Sequence, residues 1–468
     1  TIRIFSDFDT LGRAQTVTTF ATNLNIPIGI YPFRSISDPS QSSEFASGAI
    51  TGRPSWKCIV WSIPNIWLLE DADGDGVADT SRILYGPFDH TRDTHGNQAS
   101  FRRGNDGWLY ATHGFNNRSK VAGSDGQAIE MSSGNTYRMR LDGSRIEHWT
   151  HGQVNPFGMS WDMFGNLFSA DCHSSPIYQL LRGAHYPSFG KPHDGLGFAP
   201  RTIQHSHGST AICGIVVIGD RTWPAPYQGN IFVGNVMTSS INRDRVEWRG
   251  STTVGHELDD FLSCDDPWFR PVDLQWGPDG ALYVADFYNR IIGHYEVSRT
   301  HPGRDRERGR IWRIRYVGGE RAERVKRNIA LAQLKKANIL TSLGSSNPTM
   351  RSLALNEICD VYGRNVAIEL GSLLGAGNEH HYVGALWALH RLKILPEGSL
   401  LRGMIAKTTL PRVHALKIAS EWAEWSPNMQ SMITKSLHAE NAYIRRAAAE
   451  ALGVRTNLNS IGPLLDRL

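Results

Sequence analysis

A repeat constrains this chain more than any other feature. Five segments resemble one another: residues 26–33 (IPIGIYPF), 97–107 (NQASFRRGNDG), 155–165 (NPFGMSWDMFG), 210–220 (TAICGIVVIGD) and 270–280 (RPVDLQWGPDG). Each reads as a short apolar or alternating strand. Residues 108–114, 166–172 and 281–289 follow three of them at once as second strands, and 229–235 repeats the motif after a longer loop. Third strands follow at 65–71, 135–143, 176–181 and 309–316. The turns carry Asp-Gly, Phe-Gly or Gly-Asn, the chemistry of a tight hairpin. A recurrence of about 55–70 residues predicts blades of four antiparallel strands, an all-β propeller of the six-bladed type. Residues 1–24 read as the last two strands of an incomplete first blade, and 269–316 as the first three of another. A pair of β-sandwiches is the alternative architecture.

From about Lys326 the pattern changes. Apolar residues recur at helical spacing, and Ala354, Ala385, Ala415 and Ala448 lie 31, 30 and 33 positions apart. That period predicts helix pairs of the HEAT type, with small alanines letting helices approach closely; a plain helical bundle is the alternative. The predicted domains are a propeller over 1–318 and an all-α HEAT-like solenoid over 319–468.

Lys and Arg number 49 against 45 Asp and Glu, an excess of four that points to no charged partner, and no basic stripe with interleaved aromatics argues for nucleic acid. No apolar run reaches the roughly 18 residues of a membrane span. The five cysteines are scattered, with no CxxC pair and no CxxCH for a c-type haem. Thr1 falls mid-strand and Leu468 inside a helical pattern, as expected of a piece of a longer chain, so membrane attachment could lie outside it.

The sharpest local motif is LEDADGDGVAD, with Asp71, Asp73, Asp75 and Asp79 around Gly76. Carboxylates at this spacing surround a hard cation, and the glycine permits the bend, so calcium is the predicted ligand. A weaker copy, Asp7 and Asp9 with Gly12, lies one blade period earlier (71 − 7 = 64) and has Leu11 and Gln15 where Asp75 and Asp79 stand. Calcium loops of this kind fill at extracellular concentrations, which predicts an extracytoplasmic, periplasmic setting.

In a propeller, the residues just before each inner strand gather at one mouth of the central channel, the expected form of a ligand site. This selects Asn25, His95, Asn155 with Pro156, His205 with His207, and Arg270. His95, with Asp93 two residues before it, is a candidate general base for an alcohol, oriented by the carboxylate. Arg270 is a candidate for holding an anionic cofactor, and Asn155 for bonding a carbonyl or hydroxyl. Asp171, His173, His193, Asp194, His205 and His207 form a histidine-rich cluster that suits a transition metal, or lines the mouth for substrate or cofactor. Arg304, Arg306, Arg308, Arg310, Arg313 and Arg315 alternate with Asp305 and Glu307, which predicts an ion-paired edge.

The segments NIWLLEDADGDGVAD, DTHGNQASFRRGNDGWLY, NPFGMSWDMFGNLFSADCHSSPIYQL, GKPHDGLGF, HSHGSTAICGI and HPGRDRERGRIWRI resemble the membrane-bound dehydrogenase proteins of planctomycetes and verrucomicrobia. Those have a propeller similar to soluble quinoprotein glucose and sorbosone dehydrogenases, then HEAT repeats, then commonly a cytochrome c domain. The resemblance implies that His95 is the catalytic base, that Asn155 is the Asn of an Arg-Asn-Pro motif, and that Arg270 binds pyrroloquinoline quinone (PQQ). Val154 stands where the Arg of that motif is expected, and no Lys-Arg pair is clear around 239–243. The function implied is an exported oxidoreductase that oxidises a sugar or other alcohol and passes electrons to a cytochrome c, carried elsewhere in the same full-length chain or separate. The alternatives are a non-catalytic glycan- or protein-binding propeller with a helical docking domain and exposed aromatics such as Trp268 and Phe269, and a metal enzyme using the histidine cluster.

Overall fold

The structure, a computed structural model, describes residues 1–36, 54–94, 96–174, 176–188, 197–293, 297–298, 300–318, 336–375, 377–455 and 460–467. It begins with a hairpin of β1 (Ile2–Phe8) and β2 (Ala14–Ala21). Five antiparallel sheets follow. The first contains β3 (Ile30–Ile36), β4 (Pro54–Ser62), β5 (Asn65–Asp71) and β6 (Thr80–Tyr85), paired in chain order. The second interleaves two hairpins: β7 (Ala99–Arg103), β8 (Leu109–His113), β11 (Asn135–Met139) and β12 (Ile146–His151) form the blade, while β9 (Arg118–Ala122) and β10 (Ala128–Ser132) pair separately. The third holds β13 (Asn155–Trp161), β14 (Leu167–Cys172) and β15 (Ile177–Leu180). The fourth holds β16 (Ile212–Val217), β17 (Asn230–Asn235), β18 (Ser240–Arg249) and β19 (Thr252–Ser263). The fifth holds β20 (Pro271–Trp276), β21 (Leu282–Asp286) and β22 (Arg310–Ile314).

The first strands of successive sheets pack side by side, β3 on β7, β7 on β13, β13 on β16 and β16 on β20. This is the propeller arrangement, with the five inner strands around an axis. Arg102 of β7 reaches Asp273 of β20 at 2.8 Å, joining the second and fifth sheets. Close approach at the axis needs missing side chains: a methyl on Gly158 would strike the backbone of Gly214 and Ile215, and one on Gly214 that of Asp273. Phe20 packs with Cys58, Val60 and Leu69, so the β1–β2 hairpin lies against the first four-stranded sheet. The inner and third strands fall where the repeat predicts them. The β9–β10 hairpin was not legible as a separate pair, because it is a polar insertion within a blade.

The helices are α1 (Lys336–Ser342), α2 (Pro348–Glu357), α3 (Ala367–Leu373), α4 (Glu379–Arg391), α5 (Glu397–Met404), α6 (Thr409–Glu421), α7 (Pro427–Ser436), α8 (Ala442–Gly453) and α9 (Ile461–Leu465). Asn347, Asn378, Ser426 and Asn441 cap four of them by accepting backbone N–H bonds. One row runs α2, α4, α6, α8, and α5 and α7 pack behind it. Ala354, Ala385, Ala415 and Ala448, the alanines of the sequence period, are all fully buried along that row. No helix among the described residues is long and apolar enough to cross a membrane. The predicted boundary between 318 and 319 falls at the edge of residues 319–335, which lie outside the description.

Candidate functional site

The row of helices docks on one end of the propeller, the end bearing the turns between first and second strands. The His414 Nε2–H donates to the Met163 carbonyl (2.9 Å), Asn347 donates to Gly277 O (2.9 Å), and Thr349 donates to Trp276 O (2.6 Å). Phe164 and Trp248 pack on Tyr443, the first stacked at 4.6 Å and the second edge-on at 4.9 Å. Four ion pairs tighten the joint: Arg34 with Glu357, Arg103 with Asp360, and Arg138 and Arg182 both with Glu421. Arg138 is 1% exposed, lies between Trp108 and Trp149, and also meets Asp106 and Glu147. The helices thus cap this end of the channel and enclose a cavity of ≈ 550 Å³ whose lining includes Arg102, Trp161, Arg351, His380 and Trp387.

Asn155, His205, His207 and Arg270, selected by sequence, lie at the opposite end, where the inner strands begin. They occupy three places rather than one. The first is built on the segment that contains His95. Its side chain is outside the described residues, but its neighbours are held firmly: Asp93 N–H donates to Asn117 Oδ1 (3.1 Å), and Asn117 Nδ2 donates to the carbonyls of Asp93 (2.7 Å) and Gly96 (3.3 Å). Gly114 N–H donates to Gly96 O (3.3 Å). A methyl on Gly114 would collide with Asn155 Oδ1, and Phe115 N–H donates to that same oxygen at 3.4 Å. Asn155 therefore stands against the Gly96–Gly114 contact. Behind it the fully buried Asp171 accepts from the N–H groups of Val154 and Asn155 (2.7–3.2 Å) and from Ser174. Burial pushes the Asp171 carboxyl up to about 6 despite these donors. Asn117 was not singled out from sequence; its signal, a polar residue after the second strand of a blade, is shared by many surface turns.

The second place is Arg270. Its guanidinium donates to Asn289 O (2.9 Å), Val236 O (2.8 Å), Ser239 Oγ (2.9 Å) and Arg290 O (3.1 Å). These bonds fasten the loops of the fourth and fifth sheets together. Beside it Trp268 stacks on Tyr288 at 5.1 Å, and Phe287 is 53% exposed. Phe269, expected as an exposed aromatic, is instead buried with the fourth and fifth sheets, because it sits one residue from the strand end and turns inward.

The third place holds His205 and His207, in the connection before β16 and against the outer strands β18 and β19. Both Nε2 atoms lie 2.8 Å from Asp244, and His207 Nδ1 lies 3.2 Å from Glu257. The rest of the predicted histidine cluster does not join them. Asp171 serves Asn155, His173 is held through its backbone to Thr210 O, and His193 and Asp194 lie outside the described residues.

The acidic loop joins β5 to β6. Asp71, Asp73 and Asp79 each bring one carboxylate oxygen within 4.8 Å of the others. Gly74 and Gly76, at φ 86° and 88°, make the bend. Asp71 is buried and accepts the N–H groups of both glycines, while Asp75 accepts from Val77 N–H and stands apart from the other three. In the weaker copy, Asp9 accepts from the N–H groups of Leu11 and Arg13, closing its own turn.

The description of a domain of unknown function, DUF7133, matches residues 49–318, more than half of the chain. The chain belongs to this family. No curated protein matches the sequence. Among solved structures the chain is similar to a crystal structure titled glucose dehydrogenase, at 14% identity over 58% of this chain and 85% of that one, with a TM-score of 0.38. It is also similar to the soluble aldose sugar dehydrogenase of Escherichia coli in the apo form (17%; 58% and 84%; 0.37). A third is the PQQ-bound aldose sugar dehydrogenase of Streptomyces coelicolor (16%; 58% and 91%; 0.31). The chemistry of the DUF7133 mouth is read from its own residues.

Among the described residues, those that the resemblance assigns to PQQ are not free to hold it. A tricarboxylate cofactor needs free cationic donors. Val154, at the expected Arg position, is 2% exposed. Arg270 is engaged with four acceptors of the chain itself, and Arg243 donates to Asn230 and Pro226 O at the outer side of the fourth sheet. The arginine-rich edge is ion-paired, with Arg308, Arg310 and Arg313 on Asp305, Asp286 and Asp279.

Proposed function

We propose that the mouth opposite the helical cap binds a sugar or other alcohol and that the protein oxidises it, with the His95 imidazole taking the hydroxyl proton. The observation that carries this reading is the clamp on the 93–96 segment by both ends of the Asn117 amide, with Asn155 set against it. A general base has to be held within hydrogen-bond reach of its substrate, and the Asn117 amide holds Asp93 and Gly96, the residues on either side of positions 94 and 95. Asn155 then supplies an amide for a substrate hydroxyl, and Asp93 orients the imidazole. No described side chain can accept the hydride, so a redox group or external acceptor is required. An exported setting and a cytochrome c acceptor belong to this reading, as does calcium at the acidic loop. Three converging carboxylate oxygens on a glycine bend support calcium there, in an outer strand connection where it would brace the blade. The test is substrate-dependent dye reduction across a panel of aldoses and alcohols, with calcium and with or without added PQQ. Activity lost in His95→Ala and Asn155→Ala supports the proposal; unchanged activity in His95→Ala overturns it.

The aromatic group beside Arg270 favours a second reading, a glycan-binding mouth without turnover. The Trp268–Tyr288 stack and exposed Phe287 form the apolar face a sugar ring packs on. Sugar binding that survives His95→Ala but not Trp268→Ala, with no dye reduction, would select it. The helical row, read as HEAT-type repeats, then serves as a second docking surface.

A further inference from the structure

We infer that His205, His207 and Glu257, backed by Asp244, form a structural zinc-type site that staples the connection before β16 to the outer strands of the fourth sheet. Asp244 of β18 and Glu257 of β19 are direct cross-strand partners. Like charges directly opposite on antiparallel strands destabilise the pair, and Asp244 is fully buried. A cation is therefore needed between the two strands, and two histidines are delivered there. His207, 1% exposed, faces a carboxylate oxygen from each ring nitrogen: Asp244 Oδ2 at 2.8 Å and Glu257 Oε1 at 3.2 Å. A neutral imidazole donates only one hydrogen bond, so its second nitrogen would point a lone pair at a carboxylate. A metal ion between His207 Nδ1 and Glu257 removes that conflict.

The spacing fits. Ligands about 2.0–2.1 Å from a tetrahedral zinc stand roughly 3.3 Å apart, and His207 Nδ1 to Glu257 Oε1 is 3.2 Å. His205 brings a ring nitrogen within 4.8 Å of both partners. Asp244 then accepts N–H from Nε2 of His207 (2.8 Å), and its other oxygen lies 2.8 Å from Nε2 of His205. A carboxylate holding the outer ring nitrogens of metal-bound histidines fixes their tautomer and raises their basicity. Three protein ligands leave one position for water, reached from the side where Glu257 is half-exposed. Asn235 Nδ2 donates to the His207 carbonyl (2.9 Å), so the ligand-bearing loop is also tied to the end of β17. This composition differs from the cluster read from sequence, in which neither carboxylate figured.

The experiment is metal analysis of the purified protein, then titration with Zn²⁺ after dialysis against a chelator, and with Co²⁺ to read tetrahedral visible absorption. One Zn²⁺ per chain is expected, raising the melting temperature. Binding should be lost in His207→Gln and weakened about 10–100-fold in Asp244→Asn. Glu257→Gln, at an exposed side chain that folding does not need, should also lose tight binding, and it keeps the proposal testable should His207→Gln fail to fold. Asp73→Asn and His95→Ala should bind Zn²⁺ as the parent does, which separates this site from the acidic loop and from the proposed activity. Absence of stoichiometric Zn²⁺ uptake, or equal uptake in Glu257→Gln, overturns the proposal and leaves an imidazolium bridging two carboxylates.

Discussion

The two ends of the channel are built by different means. At the capped end, charged side chains from opposite halves of the chain meet in buried clusters: Arg138 and Glu421 are 283 residues apart, and Arg103 and Asp360 are 257 apart. At the other end neutral amides and a guanidinium bind backbone carbonyls, as Asn117, Asn235 and Arg270 do, and ion pairs stay within one sheet, as Arg310 with Asp286. Ion clusters lock one rigid body to another. Amide-to-backbone bonds fix the path of loops and leave other side chains to face a ligand. The cap end reads as architecture and the mouth as a prepared surface, although a cavity lies beneath the cap.

The largest expected effect tests the lock. Arg138→Ala removes the cation paired with buried Asp106 and leaves Glu421 with Arg182 alone, and breaking a buried pair from one side costs about 3–5 kcal/mol. Thermal unfolding should show a clear fall in melting temperature, with the helices becoming sensitive to protease first. An unchanged melting temperature would mean that the cap is not held by this cluster. Next comes calcium. Free calcium at about 100 times its dissociation constant contributes about 2.7 kcal/mol. Adding calcium back to chelator-treated protein should therefore raise the melting temperature of the parent and leave that of Asp73→Asn unaffected. Equal response in both would remove the acidic loop as a site.

The mouth is tested by Asn117→Ala. It removes the Asn117 amide from the carbonyls of Asp93 and Gly96 and from the Asp93 N–H, at about 1–3 kcal/mol. Denaturant titration should show the loss, and hydrogen exchange should locate it at 93–97. If exchange rises instead across all blades, the clamp is part of the general core.

The smallest effect at neutral pH is that of His414. Burial pushes its imidazole down to about 4 from 6.5. The neutral ring donates from Nε2 to Met163 O and accepts the Trp387 indole N–H at Nδ1 (3.0 Å). The unfolded chain binds the proton more readily, so this contribution is present above pH 6.5 and is lost as pH falls from 6.5 towards 4. His414→Gln should flatten that acid limb in a pH series of melting temperatures. A limb of unchanged slope would shift the cause to His380 or His390, which burial also lowers to about 4.

Much of the fold is legible in the sequence, because strand alternation and hairpin turns are local signals. The inner strands at 155–161 and 271–276 follow directly from NPFGMSW and PVDLQW, and the four buried alanines follow from their period. The acidic loop was equally legible, since its carboxylates lie within nine residues. The mouth was legible only in part. The rule that polar residues before inner strands gather at one end is sound, but it cannot tell a side chain that faces a ligand from one that binds its neighbours' carbonyls. Arg270 is of the second kind, and its acceptors come from 236, 239, 289 and 290.

By itself, then, the sequence determined the blades, the helix row and the acidic loop, each written in contacts between residues close along the chain. Tertiary structure alone decided which end the helices cover, where the cavity lies, and that His207 meets Asp244 and Glu257 rather than the nearer His173. Those outcomes depend on side chains 37 to 283 residues apart being brought within bonding distance, and no local pattern encodes which distant partner satisfies a buried charge.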